Sequence, residues 1–455
     1  MPHPSSGSDR GARPAPGPGR PARGGYARAV TSPLRIALVS LHTSPGAEPG
    51  SGDVGGMNVV VRNQAEALGA AGHEVDILTR RSSPDEPDAV ELAPGVTLRV
   101  LAAGPAEPVT KGRHEEFVDE FRARLAEHGP YDVIHSHHWF SGMAALPVAR
   151  ERGLPHVQSF HSIAAADDTP LSDGERAESP GRLAGEAMLA RESDAVVAIS
   201  RAEAETVATR LGGDPARLWV VLPGVDAALF HPADDASAAD SDAAGADETL
   251  SGEAPGGSPT RPYVVVAGRL EPLKAPDLAV EAVAAVPASL RPELVIAGGA
   301  STEHAGYEAE LAELASRHDL DVRFLGPRTR PGLAALLRGA QLVLVPSHSE
   351  TYGLIALEAA ASGVPVVAAA SGGLRESVVD GVTGVVLDSR DPARWGETLT
   401  RLLGDRDTWR RLARASRVRA AEHPWSLSAA ELADVYCRVA GREECTELAA
   451  AGGRR

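Results

Sequence analysis

Short apolar runs alternate with longer amphipathic stretches over most of this chain, and nearly every run ends in a glycine-rich or polar loop. That alternation constrains the fold strongly. Parallel strands covered on both faces read as near-continuous apolar runs, and joining them requires crossover helices. The first run is Leu34-Arg35-Ile36-Ala37-Leu38-Val39-Ser40. Residues 58–71 then carry Val60, Val61, Ala65 and Leu68 at helical spacing, and Gly72 closes that helix. Val75-Asp76-Ile77-Leu78 is the next strand, followed by candidates at 131–135, 155–160, 195–199 and 218–222. A break follows, and strands restart at 263–267, 293–297, 322–325, 342–345, 364–368 and 384–387, with helices between them. The spacing therefore predicts an α/β protein with two doubly wound, Rossmann-like domains facing a central cleft, at 34–230 and 262–420.

The remaining segments have a different composition. Residues 1–33 are rich in Pro, Gly, Ser and Arg and lack the apolar stretch of a signal peptide, so they read as a disordered leader. Residues 231–261 form an acidic low-complexity linker or insertion, with seven acids and no base from Asp234 to Glu253. The pattern at 426–441 predicts a closing helix within 421–442, and 443–455 reads as a frayed tail.

Composition narrows the function. The 455 residues hold 45 basic and 62 acidic side chains, a net charge of −17, which argues against nucleic-acid binding. No apolar run approaches the ~18–20 residues of a membrane span, so integral membrane association is not expected. Two cysteines, Cys437 and Cys445, make neither a disulfide scaffold nor a four-cysteine zinc site, which favours a cytoplasmic protein.

Ligands of open α/β sheets bind beyond the carboxyl ends of the strands, so the post-strand loops carry the chemistry. Five stand out. Gly52-Asp53-Val54-Gly55-Gly56-Met57-Asn58 lets backbone N–H groups and a helix N-terminus approach a diphosphate, although it matches neither common nucleotide fingerprint. His135-Ser136-His137-His138-Trp139 reads as a polar substrate pocket rather than a metal site, because no partner ligand pattern accompanies it. Ser159-Phe160-His161-Ser162 offers His161 to orient a hydroxyl or act as acid or base. Gly268-Arg269-Leu270-Glu271-Pro272-Leu273-Lys274 places two cations five residues apart, suited to a phosphate, beside glycine and proline. The fifth, Pro346 to Ala359, spaces Glu350 and Glu358 by eight residues, just over two helical turns, so that both face one side of the cleft. Ser371-Gly372-Gly373 and Asp380-Gly381-Val382-Thr383-Gly384 are expected at the same rim.

These loops resemble the retaining glycosyltransferases of family 4, which have the GT-B architecture. The Glu350-to-Glu358 spacing matches the nucleotide half of that family. His42-Thr43-Ser44-Pro45, the Gly52-to-Asn58 loop, Ala103-Gly104-Pro105, His135-Ser136-His137, Ser141-Gly142 and Pro223-Gly224-Val225-Asp226 resemble its mycothiol-pathway branch of D-inositol-3-phosphate glycosyltransferases. The resemblance implies transfer of N-acetylglucosamine from UDP-GlcNAc to an inositol phosphate. It implies a donor site of Gly55, Gly56, Arg269, Lys274, Glu350, Thr351, Tyr352, Gly353, Leu354 and Glu358. Within it Gly56 and the two cations meet the diphosphate, Glu358 the ribose, and His161 the transferred sugar. His161, Arg269, Lys274 and Glu350 form the implied catalytic set. Asn58, Lys111, His138, Ser162 and Arg182 fall where the branch binds its acceptor, with Lys111 and Arg182 as the cations an acceptor phosphate requires. No metal ligand is assigned, and no cofactor beyond the nucleotide-sugar donor. The partners are a small-molecule donor and acceptor, and a homodimer stays open.

The chain departs from the branch at three places. His138 stands where the branch usually has Tyr, and Ser162 where it has Thr. Ala166-Asp167-Asp168 replaces a Val-Lys-Asn-like stretch. Two acids beside an acceptor phosphate would be unfavourable. A paralogue with another sugar-phosphate, cyclitol or thiol acceptor is the alternative. A sugar-nucleotide epimerase would not need Lys111 and Arg182, and a non-catalytic sensor would not need functional residues on both sides of the cleft.

Overall fold

The computed structural model describes residues 33–48, 54–233, 261–300 and 302–442. The leader, Gly52 and Asp53, the acidic segment from 234, Cys445 and the tail from 443 lie outside the described residues.

The first half contains β1 (Arg35–Ser40), β2 (Glu74–Arg80), β3 (Ala89–Ala93), β4 (Val96–Leu101), β5 (Val133–His137) and β6 (His156–Ser159). After them come β7 (Ala164–Ala165), β8 (Glu175–Arg176), β9 (Ala195–Ala198) and β10 (Leu218–Val220). Eight of these form one sheet in the order β10-β9-β6-β5-β1-β2-β4-β3, while β7 and β8 pair separately. The second half contains β11 (Tyr263–Ala267), β12 (Glu293–Ala297), β13 (Val322–Gly326), β14 (Leu342–Val345), β15 (Val366–Ala369) and β16 (Gly384–Leu387). They form an all-parallel sheet in the order β13-β12-β11-β14-β15-β16. This is the GT-B architecture.

Two features depart from the expected strands. The pair β3 and β4 went unread: β3 is an antiparallel edge strand whose first three residues are exposed, so it carries no buried run. Gly95 at φ 77° turns the chain between them. The strand expected at 131–135 begins two residues later, because Tyr131 and Asp132 make polar contacts at its entry. Tyr131 Oη donates to Asp76 at 2.9 Å, and Asp132 accepts the Arg35 N–H at 2.8 Å. His135 and His137 therefore lie on β5 and not in the loop after it.

The closing helix, Trp425–Val439, leaves the second half and packs on the first. Leu432, Ala433 and Tyr436 join Ile36, Val75 and Val133 in one core layer. Tyr436 Oη lies 2.6 Å from His135 Nδ1, and Gln64 donates to Ser428 at 3.1 Å. Two chain crossings run side by side, Val225 donating to the His423 carbonyl at 2.8 Å. At Gly224 a Cβ would come within 2.5 Å of the Trp425 nitrogen, so glycine is required there. Among the described residues no helix is long and apolar enough to cross a membrane.

Strand order reverses beside β1, which β2 and β5 flank, and beside β11, which β12 and β14 flank. Crevices form at the carboxyl ends of strands at such points. In this protein both reversals open onto the same space.

Candidate active site

A cavity of about 340 Å³ lies between the two sheets. Its walls include His42 and Thr43 after β1, His138 after β5, His161 and Ser162 after β6, Gly268 and Arg269 after β11, and Pro346 and Ser347 after β14. Of the residues expected at the donor, acceptor and catalytic positions, all but Arg182 line it.

On the second half, β11 and β12 end in glycines whose backbones touch. Gly298 (φ 145°) could not carry a Cβ, which would sit 1.8 Å from the Gly268 carbonyl oxygen. Lys274 ends a short turn and donates to Glu350 Oε1 at 2.8 Å, an oxygen that Ser347 Oγ also reaches at 2.9 Å. Arg269 pairs with Glu271 at 3.2 Å. Each of these two cations therefore has a carboxylate partner. Gly353, at φ 89°, starts the Leu354–Ala361 helix, and a side chain there would strike Leu374. Gly373 N donates to the Glu350 carbonyl at 2.9 Å, so the Ser371-Gly372-Gly373 turn braces the Glu350 loop from behind. The 380–384 turn does not reach the cavity, and its Gly381 carbonyl is taken by Arg411 at 2.8 Å. Glu358 is buried at the cavity wall, 2.5 Å from Arg330. Burial pushes its carboxyl pKa up, and the Arg330 charge opposes that shift.

On the first half, Gly55 precedes the Gly56–Ala70 helix, and no side chain caps it. Its first N–H groups therefore carry the positive end of the helix dipole at the cavity wall. Asn58 is buried and its amide is committed, donating to Thr43 Oγ1 at 2.9 Å and to the Ser44 carbonyl at 2.7 Å. It fixes the His42 loop.

His138 and His161 both adopt positive φ, 68° and 62°, and so turn their rings out of the strand direction. His161 Nε2 lies 2.8 Å from His137 Nδ1, leaving its Nδ1 without a partner. Loss of water lowers the His161 pKa to about 3, so at neutral pH it is a neutral hydrogen-bonding ring and not a proton donor. His138 is buried with neither ring nitrogen hydrogen-bonded, its ring centre 4.3 Å from that of His42 and its plane tilted 41° to it. Desolvation, then the neighbouring charges, hold both rings well below their usual range.

Arg182 corrects the sequence expectation. Its guanidinium is fully buried behind the cavity and does not line it. It donates to Glu186 at 2.7 Å, Glu175 at 2.6 Å, Glu178, and Ser162 Oγ at 3.0 Å. Asp167 and Asp168 also sit elsewhere, exposed on the turn after β7 and absent from the cavity wall. The carboxylate that does line this side is Glu175. Among the described residues, His138, Glu175 and Glu178 bring potential ligand atoms within 4.8 Å of one another. Arg182 Nη1 already donates to both carboxylates, so a guanidinium fills the cationic position.

Two contacts tie the halves together across the gap. Thr351 Oγ1 donates to the His161 carbonyl at 2.6 Å. Glu376 accepts the Arg201 and Ala202 N–H groups, each at 3.0 Å, and so caps the Arg201–Thr209 helix from the opposite half.

Sequence reasoning missed Glu175, Glu178, Arg330 and Gly298-Gly299. Gly298-Gly299 and Arg330 follow β12 and β13, so the rule used for the other loops could have found them. Glu175 lies on a two-residue strand, too short to leave a pattern.

Comparison with known proteins agrees with this geometry. The Glycosyl transferase 4-like domain matches residues 55–224, and Glycosyl transferases group 1 matches residues 253–419. A D-inositol 3-phosphate glycosyltransferase of Salinispora arenicola is 41% identical over 450 residues, covering 95% of each chain. The chain belongs to the family 4 glycosyltransferases. The Mycobacterium bovis D-inositol 3-phosphate glycosyltransferase is 38% identical over 426 residues, covering 91% of this chain and 85% of that one. Among solved structures, sucrose-phosphate synthase from Thermosynechococcus elongatus aligns with a TM-score of 0.77 at 28% identity, covering 89% of this chain and 99% of that one. HepE from Anabaena, in complex with UDP and glucose, shares the fold at a TM-score of 0.68 and 19% identity, covering 89% of this chain and all of that one. The enzyme is thus a GT-B glycosyltransferase.

Proposed function

We propose that this glycosyltransferase moves N-acetylglucosamine from UDP-GlcNAc to 1D-myo-inositol 3-phosphate with retention of anomeric configuration, as in mycothiol biosynthesis. One observation carries the reading. A single cavity has cations and a helix N-terminus on its donor wall, and Lys111 with Ser162 on the facing wall. Relatives named for that acceptor align over nearly the whole chain.

Arg269 and Lys274 face the donor diphosphate, with the Gly56 and Leu354 N–H groups aimed at the same charge. These groups stabilise the negative charge that builds on the diphosphate as the anomeric bond breaks. Glu358, oriented by Arg330, accepts from the ribose hydroxyls. Glu350, held by Lys274 and Ser347, positions the sugar with the Thr351–Leu354 backbone, and Tyr352 packs beneath it. His161 offers its free Nδ1 to the sugar. The acceptor hydroxyl attacks from the side of the departing diphosphate, whose oxygen takes the hydroxyl proton. The ties at Thr351 and Glu376 hold the halves together around the reactants and exclude water, which suppresses donor hydrolysis. The reaction takes place in the cytoplasm.

The test is to incubate the purified enzyme with UDP-GlcNAc, with and without inositol 3-phosphate. Mass spectrometry reads the product and NMR its anomeric configuration. Acceptor-dependent UDP release with an α-linked product supports the reading. UDP release with no glycosylated inositol phosphate overturns the acceptor assignment.

A further inference from the structure

The acceptor wall contains an anion already. Glu175 Oε1 accepts from Lys111 Nζ at 2.9 Å, Ser162 Oγ at 2.8 Å and Arg182 Nη1 at 2.6 Å. Three donors from three separate elements thus converge on one oxygen. Lys111 and Ser162 are also the groups on which the proposed acceptor phosphate depends, and Arg182 lies buried behind them. Gly174 sets this placement: at φ 142° its α-carbon packs against the Ile163 carbonyl, and a Cβ would come within 2.4 Å of that oxygen.

Neutralising Arg182 does not require Glu175. Arg182 also pairs with Glu178 and Glu186. Lys111 is different, because Glu175 is its ion-pair partner and both side chains border the cavity. Neighbouring charges keep Glu175 ionised: burial alone would raise its pKa, but Lys111, then Arg182 and Arg269, hold it well below the usual carboxylate range.

We infer that Glu175 is a built-in stand-in for the acceptor's anionic group, occupying the Lys111–Ser162 seat in front of the buried Arg182 until an incoming phosphate displaces it. This rests on the reading of that seat as the acceptor-anion site. It makes Glu175 a specificity determinant. An uncharged acceptor cannot compete for that seat, and a weakly charged one competes poorly. A phosphate dianion brings more oxygens and more charge and takes the seat over. Because a like charge next to a bound anion costs affinity, removing the carboxylate charge should tighten anion binding.

The test uses the full chain with Glu175→Gln, which keeps the shape and removes the charge, and inorganic phosphate as the probe, by isothermal titration. Phosphate should bind at least about tenfold more tightly than to the parent enzyme. Adding Lys111→Met to that variant should cancel the gain. The KM for inositol 3-phosphate should fall in parallel. Equal or weaker phosphate binding by Glu175→Gln overturns the inference. If that variant fails to fold, Glu175→Ser serves instead, since it also removes the carboxylate charge. It should bind phosphate more tightly than the parent, and equal or weaker binding again refutes the idea. The phosphate titration involves no glycosyl transfer. A gain without inositol phosphate turnover would support the stand-in and reject the proposed acceptor. Turnover without a gain would do the reverse.

Discussion

Acidification should unfold this enzyme through its histidines. Six of them, His42, His135, His137, His138, His156 and His161, are stripped of water and held below their ordinary value of 6.5, His156 and His161 at about 3. Below pH 6.5 the unfolded chain protonates them and the folded protein does not. The unfolded state therefore binds more protons, and stability falls as pH falls. Each such group contributes about 1.4 kcal/mol per pH unit, so six contribute about 8. Buried carboxyls, Glu358 among them, act in the opposite direction. Glu186 and Glu203 are buried and raised to about 7, so between pH 7 and 4.5 the folded state holds their protons and gains stability as pH falls. They offset about 3 kcal/mol per unit, leaving a net loss of about 5 kcal/mol per pH unit below 6.5. Set against a total stability of ~5–15 kcal/mol, that places acid unfolding between about pH 5.5 and 4. Thermal melting followed by circular dichroism at half-unit pH steps measures it. His156 provides the internal control. It lies outside the cavity wall, with Ser136 Oγ at 2.8 Å and Ser193 Oγ at 3.1 Å from its ring nitrogens. His156→Gln should lower stability overall yet reduce the acid slope by about 1.4 kcal/mol per unit. A melting temperature that does not change from pH 7 to 5 would refute the argument, as would an unchanged slope in the variant.

Three further outcomes follow from the cavity and its supports. Arg269→Ala and Lys274→Ala should each lower kcat by about 10²–10³-fold in a UDP-release assay, since each removes charge stabilisation of the leaving diphosphate. Unchanged turnover in both would remove the phosphate site. Glu376→Ala should cost the closed arrangement about 1–2 kcal/mol by leaving the Arg201 and Ala202 N–H groups without their carboxylate, while Ser200 still caps the helix, read as a larger radius of gyration in solution scattering and a higher donor KM. Scattering identical to the parent's would show that the contact does not hold the halves together. Leu432→Ala on the closing helix should destabilise by about 2–5 kcal/mol, measured by urea denaturation, because Leu432 is fully buried against the first sheet. A loss below about 1 kcal/mol would mean that this helix contributes little to the core of the first half.

The order of strands and helices was legible because burial on both faces leaves a periodic trace in the chain itself. Val264-Val265-Val266 and Leu342-Val343-Leu344 are apolar throughout because both sheet faces there are covered. The post-strand loops followed from that order, and with them Arg269, Lys274, Glu350 and His161. Partnership was a different matter. Lys274 and Glu350 are 76 residues apart, Lys111 and Glu175 64 apart, and Glu376 caps a helix 175 residues before it. No local spacing encodes such pairs, because an ion pair depends on position in space and not on distance along the chain. Arg182 was expected as a ligand-facing cation because it falls at an acceptor position of the resembled branch, and Asp167 and Asp168 looked like intruders at the acceptor. Burial depth reversed both readings, by taking the arginine behind the wall and leaving the two acids on an exposed turn. Periodicity depends on which face of an element meets the core, so it is written locally. The identity of the carboxylate holding the acceptor seat depends on how distant elements pack, and so it emerges only once the chain has folded.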